Sequence, residues 1–532
     1  MTRERRADAL VEPSTPNTLP DSSIILSGRD VSIADVVRVA RQSAKVALSD
    51  DARTRLHAVR EVVERLARSG TAIYGVNTAL GANTGAPIPA ADLAGYQKRA
   101  VRARAVGVGA PCATDVVRSM MLARACGLAV GGSGISPGVV DALLAMLNAG
   151  VHPIVPSKGS IGAADLAPLS HLALPLLGEG CAEFHGEILA GAEALRRAGL
   201  QPVALAAKDG LALISSNAAT VGHAALVVAD CSEAIDALNV AVALTFEGFR
   251  ANLSPLDPRV HAAHPAPGQI VIAERLRSLL DGSALWTPGA ARRIQDPISL
   301  RCVTQLHGSA VKFLWCARDE VELELNSAAE SPLVLGDTGE MLSNGNFHLA
   351  MLAVAFDALG LALAQTALMC VQRCQRMYSP AFSELPLQLT RRGPEHSGFA
   401  TIQKTLTALY SELRHLANPA SLDCLPVSEA VEDHASMASN VVAKTAAMLP
   451  NLRYLAAIEL LTAAQAIDLR GTDPMTLGAG VRTVYAAVRE RVPMLDEDRP
   501  LGPDAEAIAG LIAEHGIGCS DLLAATHEMA AQ

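Results

Sequence analysis

Aromatic side chains are scarce in this chain: Phe, Trp and Tyr together make up 3% of its 532 residues. Sheet cores draw on aromatic and β-branched residues, so this scarcity argues against a β protein. No basic block interrupts a sequence whose net charge is −10, which argues against nucleic acid as a partner. The ten cysteines include no CxxC pair and no metal-ligand spacing. A reduced, cytoplasmic protein without a structural metal is therefore expected. Cys370 and Cys374 share a helical face and read as packed thiols. His261 and His264 stand three apart beside prolines, with no Cys or acidic residue completing a ligand set, and read as solvent-facing. A phosphate-cradling glycine loop is also missing. No apolar stretch follows the basic N-terminus, so residues 1–22 are expected to form a flexible tail rather than a targeting segment.

What remains is rich in Ala, Leu and Val. Half of the residues are hydrophobic, and the chain is long enough to bury a large core. Ala and Leu favour helix. The run from His348 to Cys370 is apolar enough to raise the question of a membrane span. Asp357 and Gln365 interrupt it, and the stretch from Asn217 to Phe246 has the same character, so helices buried in a bundle explain both. Ser32-Ile33-Ala34-Asp35 reads as a capping box opening a helix through about Leu48. Further helices are expected over 53–68, 91–106, 114–129, 137–148 and 166–177, with a hairpin over 182–189. Longer ones follow over 217–246, 299–319, 347–377, 397–416 and 436–469, then 478–492 and 504–531. The expected architecture is all-α. A flexible tail (1–22) precedes a smaller N-terminal helical domain carrying the active-site loops (23–215), a long central bundle (216–470) and a C-terminal helical cap (471–532).

Against this helical background one loop stands out, Pro156-Ser157-Lys158-Gly159-Ser160-Ile161-Gly162-Ala163-Ala164-Asp165. Two glycines and small neighbours permit close packing and unusual dihedrals, and Asp165 is placed to cap a helix with Pro168 in its first turn. The loop resembles the signature of the aromatic amino-acid ammonia-lyase and aminomutase family, which acts on histidine, phenylalanine or tyrosine. In that family an Ala-Ser-Gly triad precedes the aspartate and cyclises into a methylidene-imidazolone electrophile. Here only Ala163 and Ala164 fill the gap, and neither can lose water to form it.

The resemblance extends along the chain and implies roles by position. Tyr74, in Tyr74-Gly75-Val76-Asn77-Thr78, matches the tyrosine that removes the β-proton, and a phenol works as a base only if its surroundings lower its pKa. Arg301 matches the arginine that grips the substrate carboxylate, to which its planar fork is suited, and Gln295 matches another site position. The family tyrosine three residues before that arginine is Ile298 here. Asn344 and Phe347 lie in Ser343-Asn344-Gly345-Asn346-Phe347-His348, where Asn344 replaces a glycine and the Phe lines the site in relatives. Glu432, in Val431-Glu432-Asp433-His434-Ala435-Ser436-Met437, matches the glutamate near the substrate amine. Ser215 stands where an asparagine contacts the prosthetic group, with Asn217 two places on. Arg104 occupies a selectivity position and points to a substrate with a second acidic or polar group, unless a protein carboxylate pairs with it.

Three functions follow. The preferred reading is a lyase or cyclase of this family working without the electrophile, on a substrate with a better leaving group or a more acidic proton. The alternatives are a conventional histidine or aromatic amino-acid ammonia-lyase and a non-catalytic scaffold, the last disfavoured because Tyr74, Arg301 and Glu432 are kept. No cofactor or metal is expected. The resemblance implies a homotetramer with each site built from several subunits, acting on a small amino-acid-like substrate.

Overall fold

The computed structural model describes residues 23–69, 72–79, 86–514, 517, 522 and 523. The expected tail, the loop residues 80–85 and half of the last expected helix lie outside them. The fold is all-α. Its centre is a bundle of four long helices, Ala218–Phe249, Val303–Leu325, Ala350–Met377 and Ala438–Arg470. Thr114–Val130 and Pro267–Leu279 pack against it, and the strands among the described residues are short and paired in sheets of two or three.

With few aromatic rings to fill space, the helices approach closely at small residues. A Cβ on Gly222 would meet the Ser119 carbonyl at 2.5 Å, and one on Gly248 would meet the Ala463 carbonyl oxygen at 2.8 Å. At the heart of the bundle Arg373 and Glu459, both buried, pair through two bonds of 2.5 and 2.8 Å. The Thr245 hydroxyl donates to the same carboxylate at 2.9 Å, so one ion pair joins three of the four helices. The two stretches long and apolar enough to span a membrane are core helices: 94% of the apolar window in Asp209–Phe249 and 67% of that in Ala350–Met377 are buried within the protein.

Several expectations need correction. The Ser32 capping box is present with both reciprocal bonds, but its helix spans only Ile33–Gln42. Ser43 turns left-handed (φ 57°), and Val46–Leu48 leaves to pair in parallel with Ile24–Leu26. The expected 299–319 helix breaks at Cys302 into a turn, Ile298–Arg301, and the longer Val303–Leu325. His261 does not face solvent: it is buried with its Nδ1 at 2.9 Å from the Gln269 amide, while His264 is exposed. Cys370 and Cys374 are buried as read.

Candidate active site

Three of the four long helices begin at one end of the bundle. Ser215 to Asn217 lead into Ala218–Phe249, Asn344 to His348 into Ala350–Met377, and His434 to Met437 into Ala438–Arg470. The signature loop is held where these beginnings meet. The Ser436 hydroxyl donates to the Gly162 carbonyl at 2.7 Å, the Met437 N–H to Ile161 at 2.9 Å and the Ser439 hydroxyl to Ser160 at 3.0 Å. Gly162 has φ 72°, and a Cβ there would sit 2.5 Å from Ser436 Oγ. Ala163 forms a backbone bridge with His348, whose Nε2 lies 2.9 Å from His434 Nδ1. Converging helix beginnings give this end a positive potential, suited to a carboxylate substrate.

Asp165 does not cap its own helix, Leu166–Ala173. Ala164 and Asp165 both have positive φ, 60° and 34°, which turns the aspartate side chain towards the bundle. There it accepts the Thr220 N–H at 2.7 Å and the Thr220 hydroxyl at 2.9 Å, capping Ala218–Phe249 instead. Burial pushes its carboxyl above the usual range while these donors oppose the shift. Ser160, between the two glycines of the loop, donates its hydroxyl to Asp165 at 2.5 Å and accepts the Gly162 N–H at 3.0 Å. It precedes Ile161 rather than glycine, and two alanines stand before Asp165. These residues do not fit a methylidene-imidazolone group.

Beside the loop, Ser215 is buried at the end of Asp209–Ile214, and Asn217 is buried with its Nδ2 donating to Glu324 at 3.3 Å and to the Asn346 carbonyl at 3.4 Å. The Asn217 side-chain Oδ1 is buried without a hydrogen bond among the described residues. Glu324 was not legible as a site residue, since it stands in an ordinary amphipathic run; burial pushes its carboxyl up to about 7. Asn344 is tied down, donating to the Glu330 carbonyl at 2.9 Å and accepting the Asn346 N–H at 2.9 Å, and Phe347 is half-buried beside it. Behind that segment the buried Arg124 holds Glu330 at 2.8 Å, a pair the sequence did not disclose.

Tyr74 sits on the rim, 39% exposed, in a turn anchored by the buried Val76 and by the Ile73 N–H donating to Asn77 Oδ1 at 2.7 Å. Its neighbour Gly75 abuts Leu211 and Pro332, which places the turn between the Ser215 and Asn344 segments. Arg104 ends the helix Leu93–Arg104, which packs on Asp209–Ile214 and Leu166–Ala173. It bonds only the Ala100 carbonyl, at 3.1 Å, and among the described residues no carboxylate lies within ion-pair range of it. Glu432 closes a tight turn with Val427 and accepts the Ser428 hydroxyl at 3.0 Å.

Arg301 and Gln295 are not part of this cluster within one chain. Their turn docks near Arg373, which donates to the Ser299 carbonyl at 3.3 Å. That is about six turns along Ala350–Met377 from the signature loop, or about 35 Å. Gln295 and Ile298 are exposed there, and Arg301 Nε is buried without a partner.

The sequence profile described as aromatic amino acid lyase matches residues 31–490. The chain is 41% identical to a histidine ammonia-lyase of Symbiobacterium thermophilum over 91% of its own length and 96% of the relative's. Among solved structures it resembles an ergothioneine-degrading enzyme, ergothionase, from Treponema denticola (33% identity, TM-score 0.90, covering 93% of this chain and 99% of that one). It also resembles histidine ammonia-lyase from Trypanosoma cruzi (32%, TM-score 0.86, 96% of each chain). A match over most of the chain, together with a shared all-α fold, places this protein in the aromatic amino acid lyase family, as a carbon–nitrogen lyase-like enzyme.

Proposed function

We propose that the site eliminates an amine from a histidine-derived amino acid whose nitrogen is already a good leaving group, without an internal electrophile. The observation that carries this reading is the pair Ala163-Ala164 where a dehydratable serine is required. Ammonia is a poor leaving group and the β-proton of an amino acid is weakly acidic, so ordinary deamination needs added activation. A quaternary ammonium departs as a neutral tertiary amine and needs none. Ergothioneine, the compound named for the Treponema denticola structure, is a trimethylammonium betaine of this kind bearing a sulfur on its imidazole ring.

In the proposed reaction Tyr74 acts as the general base that takes the β-proton. The C–H electrons form the Cα=Cβ bond, and the Cα–N electrons leave with the amine. Arg301 of a neighbouring subunit holds the carboxylate, which is how the 35 Å gap of about six helical turns is closed. Glu432 faces the cationic nitrogen. Arg104, with no carboxylate of its own, meets a polar ring substituent such as that sulfur. Asn217, Ser215, Phe347 and Asn344, with Gln295 supplied beside Arg301 by the neighbouring subunit, complete the binding surface, and no cofactor takes part. The proposed assembly is a homotetramer, in which neighbouring subunits complete one another's sites.

The second reading is ordinary histidine deamination, favoured by the names of relatives about 40% identical. The purified protein is to be incubated with ergothioneine and with histidine, and the released amine identified. Trimethylamine release is expected, and Tyr74→Phe should slow it at least about 100-fold while leaving substrate binding intact. Ammonia release from histidine, with an intact mass short by two waters, would establish the second reading and overturn the first.

A further inference from the structure

At the end of the bundle away from the signature loop lies a cavity of about 400 Å³ lined by Glu247, Arg250, Leu285, Glu384, Arg470 and Thr476, among others. Its size falls in the range of small-molecule sites. Glu247 is about eight turns along its helix from Asn217, or about 45 Å, so within one chain this space is separate from the reactive loops.

The charges in it do not cancel. Arg250 spends Nε and Nη2 on the Ala290 carbonyl, and Arg470 spends Nε on Gly248 and Nη2 on Ser383. Each guanidinium keeps one nitrogen, Nη1, without a hydrogen bond among the described residues. The two carboxylates present answer them only in part, Glu384 by its charge on Arg470. Glu384 is engaged by Arg292 at 3.0 Å. Glu247 accepts the Gly478 N–H at 2.9 Å, and burial pushes its carboxyl upward, towards the neutral form. Burial, followed by the like charges of Arg292 and Arg250, pulls Arg470 down to about 10. Two arginines, Arg250 and Arg470, line the cavity, and its one exposed carboxylate, Glu384, is already paired with Arg292.

We propose that this cavity is a second ligand site, taking a small anion whose carboxylate or phosphate oxygens bridge Arg250 and Arg470. One free Nη1 from each of two guanidiniums lining one space suits such oxygens, and an anion relieves the repulsion between the arginines.

Calorimetric titration of the full-length protein with inorganic phosphate and with succinate tests this. One anion per chain is expected. Arg250→Gln should weaken binding about tenfold and Arg250→Glu should abolish it, with turnover unchanged. Arg250 is exposed and bonds only one carbonyl, so these variants are expected to fold even if Arg470→Gln does not. Binding by phosphate alone identifies a phosphoryl ligand, and binding by succinate alone a carboxylate. Retention of binding in Arg301→Gln separates the cavity from the substrate site. No binding of either anion at millimolar concentration, or equal binding to wild type and Arg250→Glu, overturns the proposal.

Discussion

Asn217 donates to Glu324 through its amide, and Glu324 sits where burial holds its carboxyl up to about 7 against an ordinary 4.5. A raised carboxyl contributes stability that is complete below its unfolded value and is lost as pH rises through the folded one. Resistance of the wild type to urea should therefore fall between pH 4.5 and about 7 through this group. Glu324→Gln keeps the hydrogen bond with Asn217 and removes the titration, so its urea midpoint should vary less over that window. Equal pH slopes in the two proteins would show that Glu324 does not titrate there. Asp165 carries a similar burial cost but is supported by three donors from Ser160 and Thr220, which is why it can remain the fixed point of the loop.

Among the elements, the long helices do two jobs. Their beginnings hold the signature loop through Ser436, Met437 and Thr220, and their middles are locked by Arg373 and Glu459. Arg373→Met would leave Glu459 buried with only Thr245 to answer it. Loss of one partner from a buried ion pair costs about 3–5 kcal/mol, so unfolding in urea should shift by an amount of that order. A shift below about 1 kcal/mol would mean that the pair is offset by its desolvation even when broken. Because Ser299 also bonds Arg373, the same variant should loosen the turn that carries Arg301.

On the scale of the whole molecule, Ala350–Met377 presents an apolar stripe to solvent: Met351 is 62% exposed, Val354 55% and Leu361 50%. Three large apolar side chains at helical spacing mark a contact surface, and the distance between Arg301 and Tyr74 calls for one. If this stripe is the subunit contact of the proposed assembly, Val354→Arg lowers the mass seen in light scattering below that of the wild type and lowers activity in step with it. Full activity in a monomeric variant would remove the multi-subunit site. The all-α class, the approximate extents of the long helices and the hairpin near residues 182–189 could be read directly, because local propensity and periodicity carry them. The ordered motifs around Tyr74, Asp165, Arg301, Asn344 and Glu432 could be read too, through their resemblance to those of the family. The end of the first helix at Ser43, the break at Cys302 and the burial of His261 could not, since each depends on partners distant in the chain or on a local backbone conformation that periodicity does not carry. By itself the sequence determined the absence of a dehydratable serine before Asp165, a covalent fact that no folding alters. Only the tertiary structure decided that Asp165 caps a helix other than its own, that Asn217 meets a buried Glu324, and that Arg301 stands far from Tyr74 within one chain. Those outcomes depend on which helix ends come together in space, and that is settled by packing rather than by neighbours in sequence.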